Sequence, residues 1–285
     1  MKWLPLAVSV FAAQLTWAEP EVLWEFDDFK MPESVLLDKT RQKIYVSNVN
    51  AGPLSEDGNG SIGVISADGK SHQVEWVAGL DSPKGLAQQG NYLYVADVKT
   101  LVVINVDTGK ISARYPVPDA GVLNGLAFDE QGALYVSDWL GNKIYKLENQ
   151  ELKVWLDTAE LESPNGLVVN DGYLYVASWG QNPQPDFSTK SSGLLKRISL
   201  TTKKIEDFRG ESTWMNLDGL HRTAEGWLAT DFMKGELLTL TADGKIKNSL
   251  ALAGPSAADF WLVEDQELLL VPYLMTNRVA AYRFK

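Results

Sequence analysis

The chain has 285 residues, a formal net charge of −11, 45% hydrophobic and 22% charged residues, two histidines and no cysteine. This composition suits a folded chain with a large core and excludes a disordered one. It also excludes disulfides, thiolate nucleophiles, iron–sulfur clusters, cysteine-bound zinc and a three-histidine metal site, and the acidic balance without a basic run argues against nucleic acid.

The first segment reads as a signal peptide. Lys2 supplies the positive end, residues 4–15 are a short apolar run, and Thr16-Trp17-Ala18 ends in a small residue. Cleavage near Ala18 is expected, which makes residues 1–18 the leader and 19–285 the mature chain, periplasmic or secreted. The apolar run is too short to cross a bilayer comfortably, and no later segment has membrane-span character. With no lipobox cysteine, the mature protein is expected to be soluble.

Strand character begins at Glu21-Val22-Leu23-Trp24-Glu25-Phe26, and one phrase then recurs six times. Pro32-Glu33-Ser34-Val35 is followed by Ile44-Tyr45-Val46-Ser47-Asn48, and Pro83-Lys84-Gly85-Leu86 by Leu93-Tyr94-Val95-Ala96-Asp97. Leu123-Asn124-Gly125-Leu126 precedes Leu134-Tyr135-Val136-Ser137-Asp138, and Pro164-Asn165-Gly166-Leu167 precedes Leu174-Tyr175-Val176-Ala177-Ser178. Leu217-Asp218-Gly219-Leu220 comes before Trp227-Leu228-Ala229-Thr230-Asp231, and the diverged Ala258-Asp259-Phe260-Trp261 before Leu268-Leu269-Leu270-Val271. The anchor residues 33, 84, 124, 165, 218 and 259 are spaced 51, 40, 41, 53 and 41 apart. Two further strands follow in each unit, around hairpin turns such as Asp107-Thr108-Gly109-Lys110 and Ala242-Asp243-Gly244-Lys245. A period near 40 that holds four strands predicts an all-β fold, a six-bladed β-propeller of four-stranded antiparallel blades in a single domain. The last unit lacks a fourth strand, so the N-terminal strand is expected to complete the last blade and close the ring.

Each anchor begins the innermost strand of its blade. Glu33, Lys84, Asn124, Asn165, Asp218 and Asp259 are therefore expected to face the central channel at one end. Glu33, Asp218, Asn124 and Asn165 offer hard oxygen donors and a charge of −2, which suits a divalent cation: calcium, magnesium or manganese rather than a closed zinc site. A water-filled channel of satisfied polar groups is the competing reading.

The spacing of Glu33, Asn124, Pro164-Asn165-Gly166 and Asp218-Gly219 resembles the senescence-marker-protein (regucalcin) and gluconolactonase family of six-bladed propellers, over essentially the whole mature chain. The architecture is shared with diisopropyl fluorophosphatase and the paraoxonases. The resemblance implies a catalytic divalent metal, most simply Ca2+ with Mg2+, Mn2+ or Zn2+ as alternatives, held by Glu33, Asn165 and Asp218. It implies that Asn124 binds metal or substrate, as its counterparts do in different relatives. Two features depart from it. Val122 stands where sugar-lactonase relatives carry arginine, and Lys84 falls outside the family pattern. An ion pair of Lys84 with Asp259 or Glu33 is the expected arrangement, with anchoring of an anionic substrate or action as a base as the alternatives.

The long spacings place extra loops at residues 49–60 and 180–192, both expected to overhang the ring. Trp139, Trp179, Phe232 and Tyr273 follow second strands and form either a substrate-holding arc or inter-blade packing. His221 is expected between blades and His72 at the surface. Gly69-Lys70-Ser71 is a hairpin turn, not a phosphate-binding loop. The functional expectation is an exported hydrolase of lactones or esters. Asp218 serves as metal ligand and as base or nucleophile, Lys84 as a further catalytic or substrate-binding candidate, and Asn124, Trp139 and Trp179 contact a small-molecule substrate. A non-enzymatic propeller that binds a small ligand or a protein partner is the alternative.

Overall fold

The computed structural model describes residues 20–208 and 215–284; the expected leader lies outside them. The described residues form six four-stranded antiparallel sheets, and their only helical elements are three single 3-10 turns. Blade 1 runs Pro32–Asp38, Lys43–Asn48, Gly60–Ser66 and His72–Leu80, from the axis outward. Blade 2 spans Pro83–Gln89 to Lys110–Pro116, blade 3 Leu123–Phe128 to Glu151–Asp157, and blade 5 Leu217–Arg222 to Ile246–Ala251. Blade 4 uses Pro164–Asn170, Tyr173–Ser178, Leu195–Ser199 and Ile205–Asp207, and its long connection carries a two-stranded ribbon, Gly180–Gln181 with Ser191–Ser192. Blade 6 takes Trp261–Val263, Leu268–Tyr273 and Arg278–Arg283, and the N-terminal Glu21–Phe26 pairs antiparallel with the last of these. Pairing the N-terminal strand with the last C-terminal strand completes blade 6 and closes the ring.

The burial pattern follows the layers. The inner strand Pro32–Asp38 is buried at every residue, whereas the outer strand Lys110–Pro116 alternates between exposed and half-buried. The core lies between blades. Val35, Ile44 and Ile65 of blade 1 pack against Val263, Leu270 and Val279 of blade 6 around Phe29. Both histidines serve this packing. His72 stacks on Phe26 at 4.0 Å with Nε2 2.8 Å from Asp28, half-buried rather than free at the surface. His221 sits near Phe260 and Trp261, where burial lowers its pKa.

The repeated phrase has a physical cause at the axis. In blades 1 to 5 the register of the inner strand slips at the anchor: Leu123 pairs with Asp138, yet Leu126 pairs with Val136. The slip is a β-bulge, which turns the anchor side chain out of the sheet toward the channel. The glycine after the anchor lets neighbouring bulges touch. A Cβ on Gly85, Gly125 or Gly166 would collide with the backbone carbonyl of Asn124, Asn165 or Asp218, respectively. Second-strand hydroxyls pin the bulges: the Gly125 N–H donates to Ser137 Oγ at 2.7 Å, and Ser137 Oγ donates on to the Asn165 carbonyl at 2.8 Å.

The aspartates that end second strands hold the approach to each bulge. Asp138 is fully buried and accepts from the backbone N–H groups of Gly121 (3.0 Å), Val122 (2.8 Å) and Gly141 (2.8 Å). Asp97 likewise accepts from Asp81 and Ser82. An Asp138→Ala change strands three backbone donors, so a loss of about 3 kcal/mol is expected in urea denaturation. Asp138→Asn retains an acceptor and is expected to lose roughly half as much.

Candidate active site at the channel mouth

Five of the six anchors meet in one cavity. Glu33, Lys84, Asn124, Asn165 and Asp218 form its floor, each no more than 6% exposed. The sixth does not. Thr230 Oγ1 donates to the Ala258 carbonyl at 2.9 Å, just as Ser137 Oγ donates to the Asn165 carbonyl, so Ala258 is the ring residue of blade 6. Asp259 occupies the position that glycine holds in blades 2 to 5. Its carboxylate accepts from Ser34 Oγ at 2.8 Å beside Gly219 and leaves the cavity lining to the other five. The same one-residue offset moves Tyr273 from the expected arc into the inter-blade core, where its hydroxyl meets Tyr282 at 2.6 Å; Leu274 lines the mouth instead.

The floor holds two carboxyl groups with unsatisfied oxygens. Glu33 Oε2 and Asp218 Oδ1 are buried without hydrogen-bond partners. Burial, above all, pushes the Glu33 carboxyl up to about 8; Asp259 adds to the rise, while Lys84 and the Asn124 amide pull the other way. Burial followed by Glu33 and Asp259 raises Asp218 well above the usual carboxylate range. Asp259 is raised to about 6 by burial against the hydrogen bond from Ser34.

Lys84 does not form the expected ion pair with Glu33 or Asp259. Its ammonium donates to the Pro53 carbonyl (2.7 Å), the Ser82 carbonyl (2.9 Å) and Ser82 Oγ (3.1 Å), which uses all three donors on neutral oxygens. Burial lowers its pKa to about 8, opposed by Glu33, Asp97 and Asp218. The bond to Pro53 ties the loop of residues 49–60 to the floor, so this loop does reach the ring.

The donor set suits a hard divalent cation. Two unpartnered carboxylate oxygens and two amides converge with no nitrogen or sulfur ligand, and the one floor cation is bound elsewhere.

The walls are apolar. Val49, Val122, Trp139, Trp179, Phe232, Ala258 and Leu274 form one buried cluster at the mouth. Trp139 and Trp179 meet edge to face at 5.6 Å, so they both line the cavity and pack between blades. The second long loop contributes Phe187, whose ring lies 6.2 Å from Trp179 and 5.9 Å from Phe232. The Trp179 indole N–H donates to the Phe187 carbonyl at 3.1 Å and fixes the loop over the mouth. The cavity is narrow, with a volume of about 40 Å3, and it opens to solvent at the mouth. Phe187 escaped the sequence reading, although a lone aromatic in the polar run 181–188 is a usable signal.

The chain matches the LVIVD repeat over residues 84–110, which begins at Lys84 and takes in the inner three strands of blade 2. No curated protein matches it. Among solved structures it resembles a gluconolactonase from Xanthomonas campestris (15% identity, 93% of this chain and 89% of that one, TM-score 0.66). It also resembles a virginiamycin B lyase from Staphylococcus aureus (17% identity, 91% and 96%, TM-score 0.60) and a chain of a nidogen–laminin complex (16%, 78% and 81%, TM-score 0.60). The chain thus has the six-bladed fold of lactonase and lyase enzymes, at identities that define the fold alone.

Proposed function

We propose that this protein is a divalent-metal-dependent hydrolase of lactones or esters, with Glu33, Asn124, Asn165 and Asp218 holding the cation. The observation that carries the reading is the pair of buried, unpartnered carboxylate oxygens on Glu33 and Asp218 in a cavity whose only lysine is bound elsewhere. The fold shared with the gluconolactonase supports it. The oxygen-only set favours calcium, and the leader-like residues 1–18 favour a periplasmic or secreted protein, where calcium is available.

When bound, the cation supplies Lewis acidity to an ester carbonyl and to the charge that develops on its oxygen. The chain's own residues do the rest. Asp218 lines the cavity with a carboxyl that burial raises above the usual range, so it would be the group to take a proton from attacking water. Attack by Asp218 itself on the carbonyl is the covalent variant. Asn124 and Asn165 carry amides whose carbonyl oxygens would serve a cation and whose N–H groups could orient substrate, with the Asn124 amide also hydrogen-bonded to Glu33. The apolar wall keeps bulk water from the reacting group. Lys84, with every donor engaged, contributes positive potential and holds the 49–60 loop.

The test is calcium titration of the mature protein by calorimetry, beside Glu33→Gln and Asp218→Asn, followed by a lactone and ester screen of the loaded wild type and Asp218→Ala. One cation per chain, lost in both variants, and at least a hundredfold loss of kcat/KM in Asp218→Ala are expected. A wild type that binds none of calcium, magnesium, manganese or zinc would overturn the proposal and leave the cavity as a ligand-binding site.

A further inference from the structure

We infer that the substrate of this site is a lactone or ester bearing an apolar chain or ring, that Phe187 sets this preference, and that Trp139 Nε1 is the donor that meets one of its oxygens. The inference rests on the hydrolase reading and names the substrate class of that same site.

Every polar side chain that lines the cavity lies on its floor. Above them the wall is Trp139, Trp179, Phe187, Phe232 and Leu274 beside Val49. These offer two N–H groups. That of Trp179 is spent on the Phe187 carbonyl, whereas Trp139 Nε1 is buried without a partner. Trp139 itself is only 8% exposed and lines the cavity, so its N–H must lose its water with or without a ligand. A polyhydroxylated sugar lactone would bring several hydroxyls against this wall and find one donor for them, leaving the others desolvated and unpaired. A compact ester group with a hydrocarbon tail matches it: the oxygens meet the floor and the Trp139 N–H, and the tail meets the rings.

Phe187 occupies the tail's place. It is half-buried in a loop whose adjoining residues 184–186 and 188 are exposed, and it is a non-glycine residue at φ 65°, a backbone state that side chains seldom adopt. Its ring packs on Trp139, Trp179 and Phe232, the surfaces a tail would use. An entering apolar chain replaces those contacts with equivalent ones, while a hydrophilic substrate would have to displace Phe187 without compensation.

The experiment has two arms. In the first, binding of cyclopentanones carrying 2-methyl, 2-butyl and 2-octyl groups, which cannot be hydrolysed, is measured by calorimetry. Kd is expected to fall about three- to fourfold per added methylene until the cavity is filled. Phe187→Ala is expected to alter that chain-length dependence, and Trp139→Phe to weaken every member about tenfold while preserving it. In the second arm, γ-butyrolactone, γ-dodecalactone and glucono-δ-lactone are compared as substrates of the calcium-loaded protein, and γ-dodecalactone is expected to be hydrolysed fastest. Absence of any chain-length dependence in the wild type, which needs no variant to fold, overturns the inference. So does faster turnover of glucono-δ-lactone, an outcome that leaves the hydrolase reading standing. Chain-length-dependent binding with no hydrolysis of any lactone upholds the ligand class and removes the hydrolase reading instead.

Discussion

Metal-free Glu33→Gln protein is expected to be more stable than metal-free wild type at pH 8, by about 3 kcal/mol, and the order is expected to reverse when calcium is added at about a thousand times its Kd. The reasoning starts from the raised carboxyls. Between an unfolded value near 4.5 and a folded value near 8, the folded Glu33 keeps a proton that the unfolded chain has released. The folded state therefore binds more protons, and stability falls as pH rises through that window, by up to about 1.4 kcal/mol per pH unit for each such group. Asp259 adds the same sign between 3.8 and about 6, and Asp218, also raised, adds it above 3.8. Lys84 has the opposite sign: its lowered pKa makes the unfolded chain the better proton binder between about 8 and 10.5, so stability recovers there. Thermal melts in a chelator should thus show a minimum near pH 8, and the neutral amide of Glu33→Gln should make it shallower. A cation at a thousand times its Kd adds about 4.1 kcal/mol to wild type, more than the deficit of about 3 kcal/mol, and nothing to a variant that cannot bind it. Melts of metal-free wild type that are flat from pH 5 to 8 would mean that neither floor carboxyl carries the strain described here.

The recurring phrase was legible because two physical requirements act on it at once. The bulge needs a small residue where the next strand's carbonyl presses in, and the channel receives whatever precedes it; hence Lys84-Gly85, Asn124-Gly125, Asn165-Gly166 and Asp218-Gly219 stand out in the sequence. Blade 6 was misread by one residue for the same reason. It has no glycine at that position, so the eye fixes on the charged Asp259, while the hydroxyl of Thr230 selects Ala258. The Tyr273 and Leu274 offset is the same error carried through the register. The Pro53 partner of Lys84 was beyond reach, because its loop carbonyl comes from 31 residues away and carbonyls leave no mark in a sequence, whereas Ser82 lies only two residues away. Phe187 shows the converse: its type was visible, but only folding of residues 180–192 onto Trp179 gives it a place.

Replacement of Lys84 by methionine should separate its two candidate roles. The chain keeps a stem of similar length but loses three hydrogen bonds to Pro53 and Ser82, of which those to Ser82 are fully buried. A cost of about 3 kcal/mol in the metal-free protein is expected, since bonds from a charged donor are each worth roughly 1.5–3 kcal/mol and one carbonyl can turn to water through the mouth. The floor meanwhile loses the charge that pulls Glu33 and Asp218 downward. Because that charge opposes a cation in the same cavity, calcium affinity should rise, by at least tenfold at the effective dielectric of such sites. Loosening of the 49–60 loop should raise KM more than it lowers kcat. A lysine acting as the base gives a different pattern: calcium affinity would stay as in wild type and kcat would collapse at saturating calcium. Parallel calorimetry and initial-rate measurements on Lys84→Met decide between them. The first pattern makes Lys84 the tether that keeps a positive group beside the cation site without occupying it.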